Sequence, residues 1–213
     1  IQLLWKQWRD DIPVFDKEYD IAYGGQEGCA NYYIIDKVKA KRKILWIHTD
    51  YEKLEYVDDF DRTYFKRASV VATMSPKARD ILQKHFPESA DHIWFLENIT
   101  NGSMIRKMAA EDIDDNQFKL VEGVNLVSVG RLSLPKNFGR AVRVASVLKK
   151  RGVVFHWTIV GEGPLRSTLE SQAKELGVDD VVSFIGLRSN PYQYVSKSAI
   201  LVVTSDYEGR SIA

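Results

Sequence analysis

The stretch NLVSVGRLSLPKNFGRAVRVASVLKKRGVVFHWTIVGEGPLRSTLESQAKELGVDDVVSFIG (residues 125–186) alternates short β-branched runs with longer runs of helical period. Its predicted strands are 125–130, 154–161 and 181–186, and its predicted helices are 137–152 and 164–177. Strict alternation of strand and helix is typical of a parallel sheet covered by helices. We therefore predict a doubly wound α/β domain that continues through a helix at 191–198 and a strand at 199–205.

The same alternation extends toward the amino terminus with less regular spacing. The predicted strands there are 21–25, 44–48, 70–74 and 93–98, and the predicted helices lie near 29–40, 55–67 and 76–85. The pattern lapses in an acidic stretch without a clean period, so we predict a linker at 111–122. This gives two Rossmann-like parallel-sheet domains, both incomplete, at residues 1–110 and 123–213.

Composition excludes several classes of protein. The chain has 213 residues, with 30 Lys and Arg against 29 Asp and Glu, so a net charge of +1 argues against a globally basic nucleic-acid binder. Its single cysteine, Cys29, makes no intrachain disulfide, and no apolar run reaches the roughly 20 residues of a membrane span. Because the sequence begins at Ile1 and stops at Ala213 just after a strand-to-turn transition, we expect a piece of a longer protein.

The turn after the strand 125–130 carries two cations at the carboxyl edge of the predicted sheet. Arg131 and Lys136 follow Gly130 directly ahead of a helix. A guanidinium fork and a compact ammonium suit a diphosphate whose negative charge grows as a leaving group departs. An ordinary solvated basic loop is the alternative that spacing alone leaves open.

Three further strand ends hold candidate ligand-binding residues. At the last strand, Glu208 is placed to accept hydrogen bonds from sugar hydroxyls, and Gly209 allows backbone N–H groups to approach a ligand closely. A plain helix start is the alternative. His48 ends the strand at 44–48, where it either reaches a substrate or is simply packed. Gly25 and Glu27 lie in the turn GGQEG, which is either a tight turn or a ligand contact.

Other motifs argue against a nicotinamide cofactor and against a metal ion. The turn VGEGPLR resembles a dinucleotide fingerprint, but Arg166 stands where the third glycine belongs, so we expect a structural turn. The acidic triplets at 59–61 and 112–114 end no hydrophobic strand and are interpreted as solvated faces. The basic run KVKAKRK (37–43) is interpreted as a solvated helix end, and contact with anionic lipid is left open.

The order of these motifs is more specific than any one of them. The succession strand-GRxxxxKN, IVGEGPLRxxL, FIG followed by NPY, and strand-SDYEG resembles the C-terminal half of the family 4 retaining glycosyltransferases, which have the GT-B fold. In the first half, YGGQEG, WIHTDY, ASVVATMSPKARDIL and LENIT are similar to the acceptor-side domain of bacterial members. The resemblance covers nearly the whole chain.

By this resemblance, Arg131 and Lys136 would hold the donor diphosphate without a metal ion. Glu208 would be the first glutamate of the E-x7-E motif and contact the donor sugar, and His48 would reach the reaction centre from the acceptor domain. The loop that starts at Leu187 would border the nucleotide base. The second glutamate would fall beyond Ala213, and Arg210 and Ser211 depart from the more usual Phe-Gly or Phe-Pro.

The resemblance implies a cytoplasmic bacterial enzyme of surface-polysaccharide synthesis. It would transfer a hexose, with retention, from a nucleotide-sugar to a saccharide or lipid-linked saccharide, without a cofactor, and it would contact the inner face of the membrane peripherally and bind no nucleic acid. A sugar-nucleotide epimerase of the same architecture and a non-catalytic nucleotide-binding fragment are the alternatives.

Overall fold

The computed structural model describes residues 1–206, which divide into two compact units. The first unit runs from Ile1 to Ile99, and the second begins at Thr100. Within residues 1–206, each unit contains a four-stranded parallel sheet, which confirms the prediction of two parallel-sheet α/β domains.

The first unit is a succession of strands and helices in sequential order. Its elements are α1 (Gln2–Trp8), β1 (Phe15–Gly24), α2 (Cys29–Lys37), β2 (Val38–Ile47), α3 (Asp58–Phe65), β3 (Val70–Thr73), α4 (Pro76–His85) and β4 (Ile93–Phe95). The strand order is β1-β2-β3-β4. Because right-handed crossovers that step in one direction put their helices on the same face, α2, α3 and α4 all cover one side of this sheet.

The packing of the first-unit sheet differs between its two faces. Leu45, Val71 and Ile93 point toward the helices and are fully buried in a cluster that includes side chains from α1, α2, α3 and α4. On the opposite face, the side chains of Tyr23 and Trp94 are half exposed. Within the described residues, the apolar core of this unit therefore lies on one side of its sheet.

In the second unit, the order in which strands are added to the sheet reverses after the third strand. Its elements are α5 (Gly102–Ala109), β5 (Val124–Val129), α6 (Phe138–Lys150), β6 (Phe155–Val160), α7 (Arg166–Glu175), β7 (Val182–Gly186), α8 (Tyr192–Ser196) and β8 (Ile200–Leu201). The strand order is β7-β6-β5-β8, so the chain moves outward from β5 and then returns to its other side. One core cluster joins the sheet to α6 and α7, and another joins the opposite face to α8 and to Phe118.

The basic run at 37–43 lies mostly in a strand, so its interpretation as a solvated helix end is wrong. Residues from Val38 onward pair in parallel with β1, whose sequence there is acidic. Lys39 Nζ lies 3.8 Å from an oxygen of Asp16, and Lys41 Nζ lies 2.8 Å from Asp20. Opposite charges on adjacent strands compensate for the low strand propensity of lysine.

The boundary between the units falls earlier than the predicted domain limits at 110 and 111–122. Residues 102–109 form α5, which packs against α8; the Asn190 side-chain amide donates to Met108 O at 2.8 Å, and the Ser196 hydroxyl donates to Ala109 O at 2.7 Å. An eight-residue helix offers too few turns for its period to be read from sequence. Its contacts are made with residues about 80 positions later in the chain.

The first acidic triplet is not a solvated face throughout. Asp61 is 2% exposed and accepts hydrogen bonds from the hydroxyls of Tyr32 (2.5 Å) and Tyr51 (2.7 Å). Burial raises the pKa of Asp61, since the loss of hydration outweighs these hydrogen bonds. The carboxylate is therefore part of the aromatic core of the first unit.

Candidate functional site

Three successive turns pack backbone to backbone at the carboxyl edge of the second-unit sheet. The N–H of Gly130 donates to Val160 O at 3.0 Å, and the N–H of Gly161 donates to Gly186 O at 2.8 Å. Gly161 has φ +145°, and a Cβ there would lie 1.9 Å from Gly130 O. The first glycine of VGEGP is thus required by packing between turns, so a partial fingerprint at this place has a structural explanation.

A cavity of about 440 Å³ opens at this edge. Its wall is mostly apolar backbone and aliphatic surface from the ends of β5, β6 and β7, contributed by Val129, Gly130, Arg131, Val160, Gly161, Glu162, Leu187, Arg188 and Pro191. Three residues predicted to bind the donor, namely Gly130, Arg131 and Leu187, therefore lie around one cavity. Leu187 presents an exposed side chain at its rim.

Lys136 lies beside this cavity. It ends a short 3-10 turn, Leu134–Lys136, that leads into α6, and its aliphatic stem lies over Gly130: a Cβ built there would be 3.6 Å from Lys136 Cδ. Asn137, in the left-handed conformation (φ 45°), then caps α6 by accepting a hydrogen bond from the N–H of Arg140 at 3.2 Å. The strand-turn-helix sequence therefore places both predicted cations, Arg131 and Lys136, in one turn.

The turn after β8 is tied to the turn after β5 by a network that the sequence analysis missed. The hydroxyl of Thr204 donates to Lys136 O at 2.8 Å, while the carboxylate of Asp206 accepts from the Asn137 amide at 3.0 Å and from Arg140 at 2.5 Å. The hydrogen bond from Asn137, with Arg140 adding to it, lowers the pKa of Asp206. An Asp at a strand end was the available signal, but its partners become apparent only once β8 is placed beside β5.

Glu208 and Gly209 follow Asp206 closely in sequence and lie outside the described residues. Their predicted contacts with the donor stay predictions, as do the expectations for Arg210 and Ser211. What the structure does place is the start of their turn, which Asp206 and Thr204 hold against the residues around Lys136.

The loop that begins at Leu187 is held by a partly buried ion pair. Arg188 Nε donates to Asp115 Oδ2 at 2.7 Å, and a second guanidinium N–H donates to the side chain of Gln117 at 2.6 Å. The hydroxyl of Tyr194 donates to the same Asp115 oxygen at 2.8 Å. The hydrogen bond from Arg188 is the main reason why the pKa of Asp115 falls to about 2.

In the first unit, His48 lies just past the end of β2. Its Nε2 is 3.0 Å from Gly25 O, and its Nδ1 is 2.9 Å from Met74 Sδ. The imidazole also stacks on Trp46, with ring centroids 5.5 Å apart and planes 17° from parallel. The ring is therefore held on several sides at the carboxyl edge of its sheet.

The predicted acceptor-side residues Gly25 and Glu27 meet His48 at this edge. Glu27 Oε2 accepts from the N–H of His48 at 2.9 Å, and Oε1 accepts from the hydroxyl of Thr49 at 2.5 Å. Sequence analysis missed Asn31, which is buried and bridges the backbone of Trp46 by donating to its O and accepting from its N–H. An Asn inside an apolar helical run was the available signal.

Two searches of the described residues bear on ions and membranes. No group of three or more His, Cys, Asp or Glu side chains in residues 1–206 is arranged to hold a metal ion. In the same range, no helix has both the length and the apolar composition that a bilayer crossing needs.

Comparison with known proteins finds a similarity in the second half of the chain. Residues 110–213 match the family model described as "Glycosyl transferases group 1". These residues include the cavity, both cations and the turn after β8. The fold is that of the GT-B glycosyltransferases, two α/β domains with parallel sheets.

Particular relatives extend this similarity over most of the chain. The chain is 29% identical over 147 residues to the Campylobacter jejuni N-acetylgalactosamine-N,N'-diacetylbacillosaminyl-diphospho-undecaprenol 4-alpha-N-acetylgalactosaminyltransferase, covering 69% of this chain and 38% of that protein. The Anabaena HepE structure in complex with UDP superposes with a TM-score of 0.64 at 16% identity, covering 88% of this chain and 54% of that one. The E. coli structure described as "Trehalose-6-phosphate from E. coli bound with UDP-2-fluoro glucose" gives 0.71 at 12% identity, covering 99% and 57%. The chain thus spans less than two thirds of each of these proteins.

Proposed function

We propose that the protein transfers a hexose from a nucleoside-diphosphate sugar to a saccharide or lipid-linked saccharide, with retention of configuration and without a metal ion. The family match of residues 110–213 supports the transferase class, and the Campylobacter relative is a transferase by name. This similarity favours transfer over sugar-nucleotide epimerisation.

The observation that carries the proposal is the second-unit cavity with two cations beside it. A volume of about 440 Å³ lies in the range of small-molecule sites, and its mainly apolar wall suits a nucleobase and ribose. Arg131 lines the cavity and Lys136 extends over Gly130 next to it. Cations in this position favour a diphosphate over an uncharged ligand.

In the proposed reaction, the bond between the anomeric carbon and the leaving phosphate oxygen breaks, and negative charge accumulates on the diphosphate. The acceptor hydroxyl oxygen bonds to the anomeric carbon from the same face, and the hydroxyl proton passes to the departing diphosphate. Arg131 and Lys136 offset that charge as cations already positioned beside the departing group. We assign Glu208 and Gly209 to the donor sugar, and His48 to the reaction centre on the acceptor side. These assignments extend the resemblance of the motifs to the whole protein.

Nucleotide binding and turnover test the donor site. Calorimetric titration with uridine and guanosine diphosphates identifies the nucleotide, and transfer is then followed with the matching nucleotide-sugar. Lys136→Ala should lower turnover at least about tenfold, because one of the two cations that stabilise the departing diphosphate is lost.

Lys150 provides a matched control, since it is an exposed lysine at the far end of the helix that follows Lys136. Lys150→Ala should leave turnover within about twofold of the unmodified protein. Near-normal turnover of Lys136→Ala would contradict the phosphate role. Binding of nucleotide without any transfer would favour the non-catalytic alternative.

Stereochemistry and metal dependence are tested on the product. Proton NMR of the new glycosidic linkage should show the anomeric configuration of the donor, and an inverted linkage contradicts retention. Turnover should survive excess EDTA. Activity that EDTA abolishes and magnesium restores would contradict metal independence.

The proposed lipid-linked acceptor is supported by the Campylobacter relative, whose name specifies a diphospho-undecaprenol-linked substrate. A lipid-linked acceptor would bring a cytoplasmic enzyme to the inner face of the membrane. Transfer to polyprenyl-diphosphate saccharides should exceed transfer to the same free saccharides. Equal rates with both would argue that the lipid is not recognised.

A further inference from the structure

The carboxyl end of β2 continues beyond its partner strand. The last paired residues of β1 and β2 are Gly24 and Leu45, after which β1 gives way to the turn that leads into α2. On this side of β2, the backbone of Trp46 is met by the side-chain amide of Asn31, and the N–H of His48 by the carboxylate of Glu27. Two side chains of one segment thus take the place of a neighbouring strand at alternate positions, as a parallel ladder requires.

Both carboxylate oxygens of Glu27 take part in these internal contacts. Oε2 accepts from the N–H of His48 at 2.9 Å, and Oε1 accepts from the Thr49 hydroxyl at 2.5 Å. Both oxygens therefore bind successive residues of the segment that carries the imidazole. A carboxylate used in this way is poorly disposed to bind an acceptor sugar as well.

The same turn also fixes the His48 ring. Gly25 O lies 3.0 Å from Nε2, and Met74 Sδ lies 2.9 Å from Nδ1. Both partners only accept, and because a carbonyl oxygen is a stronger acceptor than a thioether sulfur, the neutral ring carries its proton on Nε2. Glu27 and Gly25 therefore hold the backbone and the ring of His48 from one short segment. A shift of the His48 backbone would lengthen the contact between Nε2 and Gly25 O.

We propose that Glu27 is a positioning residue for His48. Glu27 acts by hydrogen bonding to the backbone of the histidine and not by contact with the acceptor. The proposal rests on the proposed function insofar as His48 serves sugar transfer. It replaces the expectation that Glu27 binds the acceptor directly.

The comparison of Glu27→Gln with Glu27→Ala separates positioning from a role that needs the negative charge. In the Gln variant, the amide oxygen accepts from the His48 N–H, and the amide N–H donates to the Thr49 hydroxyl oxygen, so both contacts persist. The Ala variant leaves the His48 N–H without its partner. We expect turnover to fall about tenfold to a hundredfold for Ala, with donor KM within about twofold, and to recover most of that loss for Gln.

A spectroscopic readout tests the proposal without any transfer reaction. Nitrogen-15 NMR of the His48 imidazole should show the Nε2-protonated tautomer in the unmodified protein and in Glu27→Gln, and a mixture of tautomers in Glu27→Ala. If the unmodified protein shows no transfer at all, the proposed function fails, while these spectra still decide whether Glu27 orders the ring.

Thr49→Val is the matched control for the second oxygen of Glu27. It removes the hydroxyl hydrogen bond but keeps the bond to the His48 N–H, so it should change the tautomer signal less than Glu27→Ala does. Circular dichroism verifies that each variant is folded. The proposal is overturned if Gln impairs turnover as much as Ala, which would show that the charge matters, or if Ala leaves the ring spectrum unchanged.

Discussion

As far as the structure describes them, the two sheets have the same number of strands and the same parallel pairing, but their strands are added in different orders. In the first unit, each strand adds to the side of the previous one, and the helices gather on one face. In the second unit, the chain reverses between β7 and β8, so core clusters form on both faces. A single reversal of direction is thus enough to turn a one-sided core into a two-sided one.

The reversal also determines how each carboxyl edge is built. Between β5 and β8 the strand order switches, and ligands of open α/β sheets bind at such switch points. Lys136 and Thr204 meet there because the turns that follow β5 and β8 leave adjacent strands at the same edge of the sheet. The first-unit edge has no such switch among its described strands, and Glu27 and Asn31 order it with their side chains instead.

The largest expected effect is a difference in unfolding free energy between variants of one tryptophan from each sheet. Trp157 is 2% exposed in the second-unit core, and its Nε1 donates to the Ser128 hydroxyl oxygen at 3.1 Å. Trp157→Ala should lower the free energy of unfolding of its unit by about 4 kcal/mol. Trp94 lies on the open face and is half exposed, so Trp94→Ala should cost about 1 kcal/mol.

Urea unfolding followed by circular dichroism measures both effects, and hydrogen exchange assigns each transition to its unit. Similar losses of unfolding free energy for the two variants would contradict the difference between a two-sided and a one-sided core. Such a result would mean that the open face of the first-unit sheet is covered in solution.

The next effect concerns glycines that are needed for different reasons. Gly161→Ala would place a methyl group 1.9 Å from Gly130 O at φ +145°, so the turns must separate. We expect a loss of roughly 3 kcal/mol in the free energy of unfolding and weaker nucleotide binding. Gly152 also has positive φ, +72°, but a Cβ there meets nothing within 4 Å, so Gly152→Ala should cost only about 1 kcal/mol.

Denaturation and calorimetry on the same two variants give the measurement. Weaker nucleotide binding should appear in Gly161→Ala alone, because Gly152 ends a helix at the opposite edge of the sheet. Equal losses of stability would indicate that backbone conformation, and not the approach of the turns, determines both.

The part of the fold that could be predicted is the part with a local cause. The second-unit strands and helices follow from period and from glycine at helix ends, and the helix at 76–85 follows from Ser75 and Pro76, where the Ser hydroxyl accepts the N–H of Ala78 at 3.1 Å. The features that were not predicted from the sequence depend on partners far along the chain. The strand at 38–43 needs the acidic residues of β1, and α5 needs α8.

The candidate site divides in the same way. Arg131, Lys136 and His48 could be named because they lie in the turns that follow strands, and strand ends converge at one edge of a parallel sheet. Asp206 and Asn31 could not be named, since their roles arise from strand adjacency and from a backbone left unpaired where β1 ends. Asp61 was misjudged because its two tyrosine partners lie 29 and 10 positions away.

A smaller effect is expected in the pH dependence of stability, where two carboxylates have opposite pKa shifts. Asp115 has a pKa lowered to about 2, so its stabilising contribution is present above the unfolded value of about 3.9 and is lost as pH falls toward 2. Burial raises the pKa of Asp61, so its contribution is present below about 3.9 and is lost as pH rises through the raised value. The two units should therefore respond to acid in opposite directions at these residues.

Urea midpoints between about pH 2.5 and 7, a range that includes the unfolded pKa of about 3.9 shared by both aspartates, test this difference through the slope of stability against pH. Asp115→Asn should flatten the acid loss of the second unit, and Asp61→Asn should flatten the decline of the first unit with rising pH. A slope that either substitution leaves unchanged would show that the carboxylate has the same pKa in the folded and unfolded chains.

The smallest effect separates two ion pairs of similar length. Lys41 and Asp20 lie 2.8 Å apart with side chains 68% and 85% exposed, whereas Arg188 and Asp115 lie 2.7 Å apart at 25% and 10%. Lys41→Ala should change the free energy of unfolding by about 0.5 kcal/mol or less, and that change should disappear in 1 M salt, roughly the concentration at which exposed charges are fully screened. Arg188→Ala should cost several times more and keep most of its effect in salt, because it leaves the largely covered Asp115 carboxylate without its main partner. If Lys41→Ala proved equally costly, the pairing of basic and acidic residues between β1 and β2 would be a source of stability and not only a way to make a lysine-rich strand tolerable.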